Sequence, residues 1–488
     1  MAFTTQIFTF LFFPLSVFLI ALCESLRKLG AFGKFLNKIR ATDLLIIALS
    51  LCFYAWACFD DLFLFILYIL FVYLLGLLTE KAKNIKKPIL KGKLPLLVLL
   101  SGALILVLLL TYFKYLGLLS SVLNWALNLS WQPKTVRAIL GISFITFSAI
   151  SYISDIYKGK AEGKNFIDCI FYLSFFPKVV SGPIVLWRDF KSEIAKRKIT
   201  ADLFLKGAGR LMVGFGKKII LADTFGALIA KTAGGYIDIP TAWGSALLYM
   251  LQIYYDFSGY SDIAIGLGNM VGFNFKENFN FPYLSSSITE FWRRWHISLG
   301  TWFREYIYFP LGGSRKGKWR TVLNIAVVFL LTGIWHGAGI SYILWGMLNG
   351  VCNIIEKLIG ESKFYKGIPK WVKWLFTTVI TYFSWGIFRF ESFKDALRQF
   401  GIMFGFVTYD IIPYSFTYYF DTKIIVLAII GIIGATLLGL PKIREAGERL
   451  TKTKAGFVLQ YALYLVLFIL AIIFMVNSTY SPFIYFQY

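Results

Sequence analysis

Histidine is the scarcest side chain in this sequence of 488 residues, which has only two. Cysteine is also rare: the five cysteines are scattered, odd in number and form no Cys-x-x-Cys motif. Disulfide frameworks and structural zinc sites need clusters of these residues, so we predict neither of them and no metal site. The phosphate-loop, dinucleotide-binding, metalloprotease and serine-hydrolase motifs are missing too, so nothing supports those enzyme classes.

Charged residues make up only 16% of the chain, whereas 58% of it is apolar and 19% aromatic. This composition is too apolar for a soluble protein of this length. Apolar runs of spanning or near-spanning length recur at 42–58, 61–78, 94–113, 138–154, 241–255, 321–335, 424–440 and 456–477. We therefore predict an all-α, polytopic transmembrane protein with about eleven spans and additional re-entrant segments.

The net charge of +24 comes mainly from short basic loops between the apolar runs, at 27–40, 81–93 and 442–454. Short basic loops mark the cytoplasmic side of a membrane and suit anionic lipids. We therefore expect both termini to be extracytoplasmic and membrane lipids, rather than nucleic acid, to contact these loops. Met1–Cys23 lacks a basic first region and a clear cleavage site, which predicts a first transmembrane helix and not a signal peptide.

Residues 166–183 form an apolar stretch interrupted by Asp168, two prolines and a lysine, and basic residues flank it on both sides. Two cytoplasmic flanks predict a re-entrant segment, because non-helical backbone at membrane depth must be lined by protein or water. A kinked helix on the membrane surface is the alternative.

His336 closes a mostly apolar run of about fifteen residues, which would place it roughly 20 Å along a helix. An ionisable side chain at membrane depth is a functional candidate, and a neutral buried imidazole can take a proton from an alcohol. Gly333, Gly337 and Gly339 would leave space for a ligand, and Trp335 would supply an apolar wall. A histidine that only hydrogen-bonds a neighbouring helix is an equally good interpretation of this residue alone.

His296 lies in a segment that is dense in arginine and tryptophan. Guanidinium groups suit phosphates, and aromatic rings suit cations and flat groups. The candidate binding residues of this segment are Trp292, Arg294, Trp302 and Arg304. A nucleotide-bearing donor such as coenzyme A would fit them, and so would lipid headgroups, which composition alone slightly favours.

A third polar segment, Leu251–Gly266, supplies further candidate substrate-binding residues: Gln252, Tyr254, Asp256 and Ser258. On a helix, Gln252 and Asp256 would share a face. Buried carboxylates in a membrane usually line a polar cavity, although a polar packing network is the alternative.

These motifs together resemble the membrane-bound O-acyltransferase family, and most closely its bacterial branch of alginate O-acetyltransferases and teichoic-acid D-alanyl transfer proteins. The stretches that carry the resemblance are 175–184, 254–266, 280–283, 291–304, 306–315, 331–339 and 482–487. The resemblance implies a central funnel, with an acyl donor reaching it from the cytoplasm and an alcohol acceptor from outside. It places the family's catalytic histidine at His336 and a second functional polar position at His296.

The length of the chain favours the polysaccharide O-acetyltransferases over the shorter D-alanyl proteins, although family does not fix substrate. The resemblance implies one integral-membrane domain over 1–488, with its core at about 90–390, in the bacterial cytoplasmic membrane. We expect transfer of an acyl group, with acetyl favoured, from acetyl-CoA or an acylated carrier to polysaccharide hydroxyls, directly or through an exported acyltransferase partner. No permanently bound cofactor is expected. D-alanyl transfer from a carrier protein and a transporter without chemistry remain as alternatives.

Overall fold

The structure of the chain, a computed structural model, describes residues 3–85, 93–131 and 139–477. Within these ranges the regular structure is helical and no β-strand is present, which confirms the predicted all-α class. The tail motif at 482–487 and part of the basic loop 81–93 lie outside the described residues. The chain divides into two compact units, Met1–Ala208 with Ala264–Phe275, and Gly209–Ile263 with Lys276–Tyr488. The predicted domain with its core at about 90–390 stays a prediction.

The first unit is built from nine complete helices and the start of a tenth. They are α1 (Phe13–Leu26), α2 (Gly30–Lys38), α3 (Ala41–Ala57), α4 (Leu62–Lys83), α5 (Lys93–Leu127), α6 (Ile142–Tyr157), α7 (Phe166–Ser174), α8 (Phe176–Val179), α9 (Trp187–Lys196) and α10 (Ala201–Phe215). A π-helical turn, Phe8–Phe12, precedes α1.

The second unit contains the remaining helices, of which α12 begins in this unit and ends in the first. They are α11 (Asp223–Lys231), α12 (Ile239–Met270), α13 (Ile288–Arg294), α14 (Ile297–Phe303), α15 (Lys318–His336), α16 (Ile340–Ile359), α17 (Lys363–Gly367), α18 (Lys370–Phe388), α19 (Phe393–Met403), α20 (Phe416–Tyr419), α21 (Thr422–Ala435), α22 (Pro441–Thr451) and α23 (Lys454–Asn477). Two π-helical segments, Gly216–Ala222 and Arg304–Tyr308, follow α10 and α14.

Six helices within the described residues are long and apolar enough to cross a membrane, or seven if the bent pair α2 and α3 is counted as one span. This supports a polytopic membrane protein, whereas the figure of about eleven spans stays a prediction. Helix α12 has 32 residues but is not among the six. It carries buried polar side chains that face protein, and these lower its apolar content.

The segment at 166–183 is broken and buried in the first unit. Helix α7 ends at Ser174, Phe175 is non-helical, and α8 is a single turn. Lys178 is buried there, where its Nζ donates to Ser148 Oγ at 3.3 Å and lies 4.0 Å from the Tyr172 ring centroid. Surrounding protein is what non-helical backbone at membrane depth requires. The re-entrant path itself stays a prediction.

Helices α15 and α16 form a tight hairpin, and glycines allow the close approach. A Cβ atom on Gly346 would lie 2.5 Å from the carbonyl oxygen of Phe329, and one on Gly333 would lie 2.6 Å from that of Tyr342. Small residues of this kind let two membrane helices pack with their backbones in contact. His336 is the last residue of α15, so this hairpin determines where its imidazole lies.

Candidate active site

His336 lies at one end of α15, where the hairpin turns. The helix has 19 residues and is therefore about 28 Å long, so the imidazole lies at the end opposite Lys318 and Arg320. The sequence interpretation counted about fifteen residues from Thr321, which lies three residues inside this helix. The depth of His336 in the membrane stays a prediction. The side chain is only 4% exposed.

Aromatic rings surround the His336 imidazole. Its ring centroid lies 4.6 Å from that of Trp335, 5.1 Å from Trp345 and 4.9 Å from Phe388. The contacts with Trp345 and Phe388 are edge-to-face, with interplanar angles of 90° and 86°. Trp335 therefore forms the predicted apolar wall, and α16 and α18 complete it.

Four buried or half-buried tryptophans, which we call the tryptophan cluster, extend from His336 towards His296. They are Trp292, Trp295, Trp345 and Trp385. The ring centroids of Trp345 and Trp385 are 5.8 Å apart, and those of Trp385 and Trp295 are 4.8 Å apart. Because Trp295 precedes His296 in the chain, the cluster brings the two histidine motifs together.

Trp292 belongs to the same cluster and is held by a hydrogen bond. Its ring lies 5.5 Å from that of Trp345, and its Nε1 donates to Asn349 Oδ1 at 3.3 Å. Asn349 also donates to Ser384 Oγ at 2.8 Å, which ties α16 to α18. Sequence reasoning missed Trp345 and Trp385, because neither lies in a recognisable motif.

His296 is buried at the N-terminus of α14 in the left-handed backbone conformation, with φ 44° and ψ 52°. The Phe257 ring lies edge-to-face at 4.5 Å, and the side chain is 3% exposed. Burial lowers the pKa of His296 to about 3, so the imidazole is neutral at physiological pH.

A corner formed by Asn278 and Asn280 against α13 and α14 holds His296 in place. The backbone N–H of Ile297 donates to the Asn278 carbonyl oxygen at 2.9 Å, and that of Asn280 donates to the Arg294 carbonyl oxygen at 2.9 Å. Asn278 Oδ1 lies 3.2 Å from His296 Nδ1. Sequence reasoning missed Asn278, which lies 18 residues before the histidine.

The predicted donor-binding residues of this segment lie in different surroundings. Trp292 is in the tryptophan cluster, whereas Trp302 is buried against Phe303 and Tyr306. Arg294 pairs with Glu290 at 2.7 Å and donates to the Asn280 carbonyl oxygen at 3.3 Å. Arg304 is exposed, with its nearest described partner, Thr301 Oγ1, at 3.4 Å. Their role in donor binding stays a prediction.

The candidate binding residues on α12 also lie in different surroundings. The Tyr254 ring packs 6.2 Å from that of Trp295 and so reaches the tryptophan cluster. Asp256 is paired with Lys218 at 2.8 Å, and Lys218 also bonds Asp223. These contacts match the packing-network alternative for Asp256.

Gln252 and Ser258 complete that set. A Cβ atom on Gly226 would lie 2.6 Å from Gln252 Nε2, so Gln252 faces the helical stretch 216–231. Asp256 contacts Lys218 in the same stretch, so the two side chains share a face of α12, as their spacing predicts. Ser258 is buried, and no hydrogen-bond partner for its Oγ occurs among the described residues.

Metal-binding clusters are not found in the part of the chain that the structure describes, where no three His, Cys, Asp or Glu side chains lie together. All five cysteines are free thiols, and Cys58 and Cys169 are buried.

Comparison with known families identifies the class of protein to which this fold and site belong. The model of the membrane-bound O-acyltransferase family matches residues 2–383. The chain belongs to this family, and it is a multi-pass membrane O-acyltransferase. The predicted family and enzyme class are confirmed, and the interpretation as a transporter without chemistry loses its support.

Three curated relatives indicate where the chain lies within the family. It is 36% identical to "Probable alginate O-acetylase AlgI" of Pseudomonas putida, in an alignment that covers 100% of both chains. It is 30% identical to "Peptidoglycan O-acetyltransferase" of Helicobacter pylori, over 83% of this chain and 80% of that protein. It is also 30% identical to "Teichoic acid D-alanyltransferase" of Bacillus subtilis, but over only 51% of this chain and 67% of that one.

Proposed function

We propose that this enzyme transfers an acyl group, with acetyl favoured, from a cytoplasmic thioester donor to hydroxyl groups of an extracytoplasmic polysaccharide. A relative that aligns over the full length is named for alginate O-acetylation and another relative for O-acetylation of peptidoglycan, whereas the D-alanyltransferase aligns with only half of the chain. The donor is acetyl-CoA or an acylated carrier. The enzyme works in the bacterial cytoplasmic membrane and acylates the polymer directly or through an exported partner.

The observation that carries this proposal is the buried His336 at the turn of the α15–α16 hairpin, with aromatic rings around it. As the acceptor hydroxyl oxygen attacks the thioester carbonyl carbon, its proton passes to an imidazole nitrogen of His336. The new C–O bond forms, the C–S bond breaks, and the leaving thiolate recovers the proton from the imidazolium. The products are an ester and a thiol, and the imidazole returns to its starting state.

The aromatic surroundings of His336 serve this chemistry by excluding water. Water would compete with the acceptor hydroxyl and hydrolyse the thioester. The tryptophan cluster and Phe388 leave the imidazole almost wholly buried, so a substrate hydroxyl has to enter a dry, apolar environment. We assign the donor side of the site to His296 and its neighbouring arginines, of which Arg304 is exposed and suited to a phosphate.

The test is acyl transfer by purified protein in nanodiscs, with labelled acetyl-CoA and a polysaccharide acceptor. His336→Gln keeps similar size and hydrogen bonding but cannot relay the proton, and we expect a rate loss of about 10²- to 10⁴-fold. The matched control is Thr332→Val, one turn earlier on the same helix, because the Thr332 hydroxyl only donates to the Val328 carbonyl oxygen at 2.8 Å. A near-wild-type rate for His336→Gln would show that His336 is structural.

The D-alanyl alternative differs from this proposal in its donor. The same nanodisc preparation is offered a D-alanyl carrier protein and acetyl-CoA in parallel, and the esters on the polymer are identified by mass spectrometry. We expect acetyl esters. D-alanyl esters without acetyl esters would show that the enzyme is a D-alanyltransferase.

A further inference from the structure

The orientation of the Asn278 side-chain amide is determined by its neighbours. The backbone N–H of Ser298 lies 3.1 Å from Asn278 Oδ1, and because an N–H can only donate, the atom facing it must be the oxygen. The Ser298 hydroxyl donates to the same oxygen at 2.8 Å. On the other side, Asn278 Nδ2 donates to Ser261 Oγ at 3.0 Å. A flipped amide would place two donors against each other.

This orientation determines which nitrogen of His296 carries the proton. The imidazole Nδ1 lies 3.2 Å from Asn278 Oδ1, which is an acceptor, and 3.3 Å from Ser298 Oγ. The Ser298 hydroxyl has a single hydrogen and donates it to Oδ1, so both neighbours of Nδ1 present lone pairs and Nδ1 must be the protonated nitrogen. Nε2 then has a lone pair. It is buried, and the described ranges contain no hydrogen-bond partner for it.

A second observation concerns the backbone at His296, which is in a strained conformation. A left-handed φ of 44° is unfavourable for a residue with a Cβ, and asparagine or glycine would adopt it more easily. The hydrogen bonds from Ile297 and Asn280 on either side hold the backbone there. Strained residues that their surroundings hold in place are concentrated at catalytic and ligand-binding sites.

We propose that Asn278 is a positioning residue, which holds His296 as the Nδ1–H tautomer and so leaves Nε2 to accept a hydrogen bond from a hydroxyl or thiol of a bound substrate. The identity of that group, an acceptor hydroxyl or the thiol of the spent donor, rests on the proposed function. Neutral His296 has no second N–H to offer a phosphate. The anionic part of a donor must therefore be bound by other groups, such as the nearby arginines.

The carboxylates around His296 already have basic partners, so they do not replace Asn278 in this role. Those on the packed elements are Asp256, Asp262, Lys276, Glu277, Glu290, Arg293 and Arg294. Each carboxylate among them has a basic partner: Lys218 for Asp256, Lys217 and Arg210 for Asp262, Arg210 for Glu277, and Arg294 for Glu290. Burial is the cause that lowers the pKa of His296.

The first experiment reads the tautomer directly and does not depend on activity. Because the chain has only two histidines, ¹⁵N-histidine labelling gives two imidazole signals, and His336→Gln leaves only that of His296. We expect a protonated Nδ1 and an unprotonated Nε2 between pH 5 and 8. Asn278→Leu, of similar size but without an acceptor, should lose this preference. A wild-type signal with Nε2 protonated would overturn the proposal.

The second experiment is a pH–rate profile of acyl transfer. In Asn278→Asp the carboxylate would favour the imidazolium and raise the pKa of His296, so the acid limb should move to higher pH while the alkaline rate stays near wild type. Asn278→Leu should lose about tenfold or more in kcat/KM. Ser261→Ala is the control, because it removes the partner of Nδ2 and leaves Oδ1 in place.

The kinetic measurements also identify the substrate group that donates to His296 Nε2. If Nε2 accepts from the acceptor hydroxyl, Asn278→Leu raises the KM for polysaccharide. If it accepts from the thiol, inhibition by free coenzyme A weakens instead. An unshifted profile in Asn278→Asp, or wild-type kinetics in Asn278→Leu, would contradict the proposal. If Asn278→Leu does not fold, the pH–rate profile of Asn278→Asp and the wild-type spectrum still test the proposal. If even the wild type transfers no acyl group, the proposed function fails while the tautomer result stands.

Discussion

Replacing Gly346 with alanine should push apart α15 and α16, the two helices of the hairpin that positions His336. A Cβ atom at this position would lie 2.5 Å from the carbonyl oxygen of Phe329, where ordinary contacts are 3.4–4 Å. The obstructing atom belongs to the backbone of α15 and cannot rotate away. The two helices must therefore move apart by up to about an ångström, and Trp345, next to Gly346, moves relative to His336.

The size of the effect follows from two opposing terms. Alanine in place of glycine favours the helix by about 1 kcal/mol, whereas overpacking at a close contact costs about 1–3 kcal/mol, so a small net loss of stability is expected. The catalytic effect should be larger, because a displacement of about 1 Å at a reacting group can lower a rate roughly 10²-fold. We therefore expect Gly346→Ala to lose most of its acyl-transfer rate while remaining folded.

The assay compares initial rates in nanodiscs with thermal unfolding of the same samples. Gly447→Ala on α22 is the matched control: it is also a helical glycine, but it is exposed and a Cβ atom there would have nothing within 4 Å. This control should keep full activity and gain up to about 1 kcal/mol of stability. If Gly346→Ala is as active and as stable as the control, the close approach of α15 and α16 does not position His336.

Three further predictions concern other parts of the chain. In a variant without native cysteines, an impermeant thiol reagent applied to intact cells should label Gln6→Cys but not Lys38→Cys, because the basic loop 27–40 is expected to be cytoplasmic. Labelling of Lys38→Cys without Gln6→Cys would show that the topology is the reverse of the predicted one. Arg304→Ala should raise the KM for donor about tenfold or more and leave that for acceptor unchanged, since an exposed guanidinium is free to bind a phosphate; an unchanged donor KM would favour a headgroup site. Lys218→Met should be destabilised by about 3–5 kcal/mol in unfolding measurements, and more than Asp256→Asn, because it leaves the buried Asp256 and the half-buried Asp223 without their shared cation. Equal losses in the two variants would contradict this account of the pair.

The sequence alone determined the class of this protein because the relevant signals are local. Hydrocarbon requires long apolar helices, which appear directly as apolar runs, and basic loops between them indicate topology. The two histidine motifs and their neighbouring aromatic residues likewise indicate the enzyme family from short stretches of chain. His336 and Trp335 are adjacent in sequence, so their association needed no tertiary information.

The tertiary structure decided which residues complete the site. Trp345 and Trp385 lie on helices without any motif. The glycine-lined approach of α15 to α16 brings Trp345 to His336, and the packing of α18 beside α16 brings Trp385 to Trp345. Asn278 determines the tautomer of His296 from 18 residues away, through a hydrogen-bond geometry that no spacing rule contains. Asp256 fits a binding role by its sequence pattern, yet it pairs with Lys218. Periodicity and composition describe what one segment prefers, whereas these contacts depend on how distant segments pack.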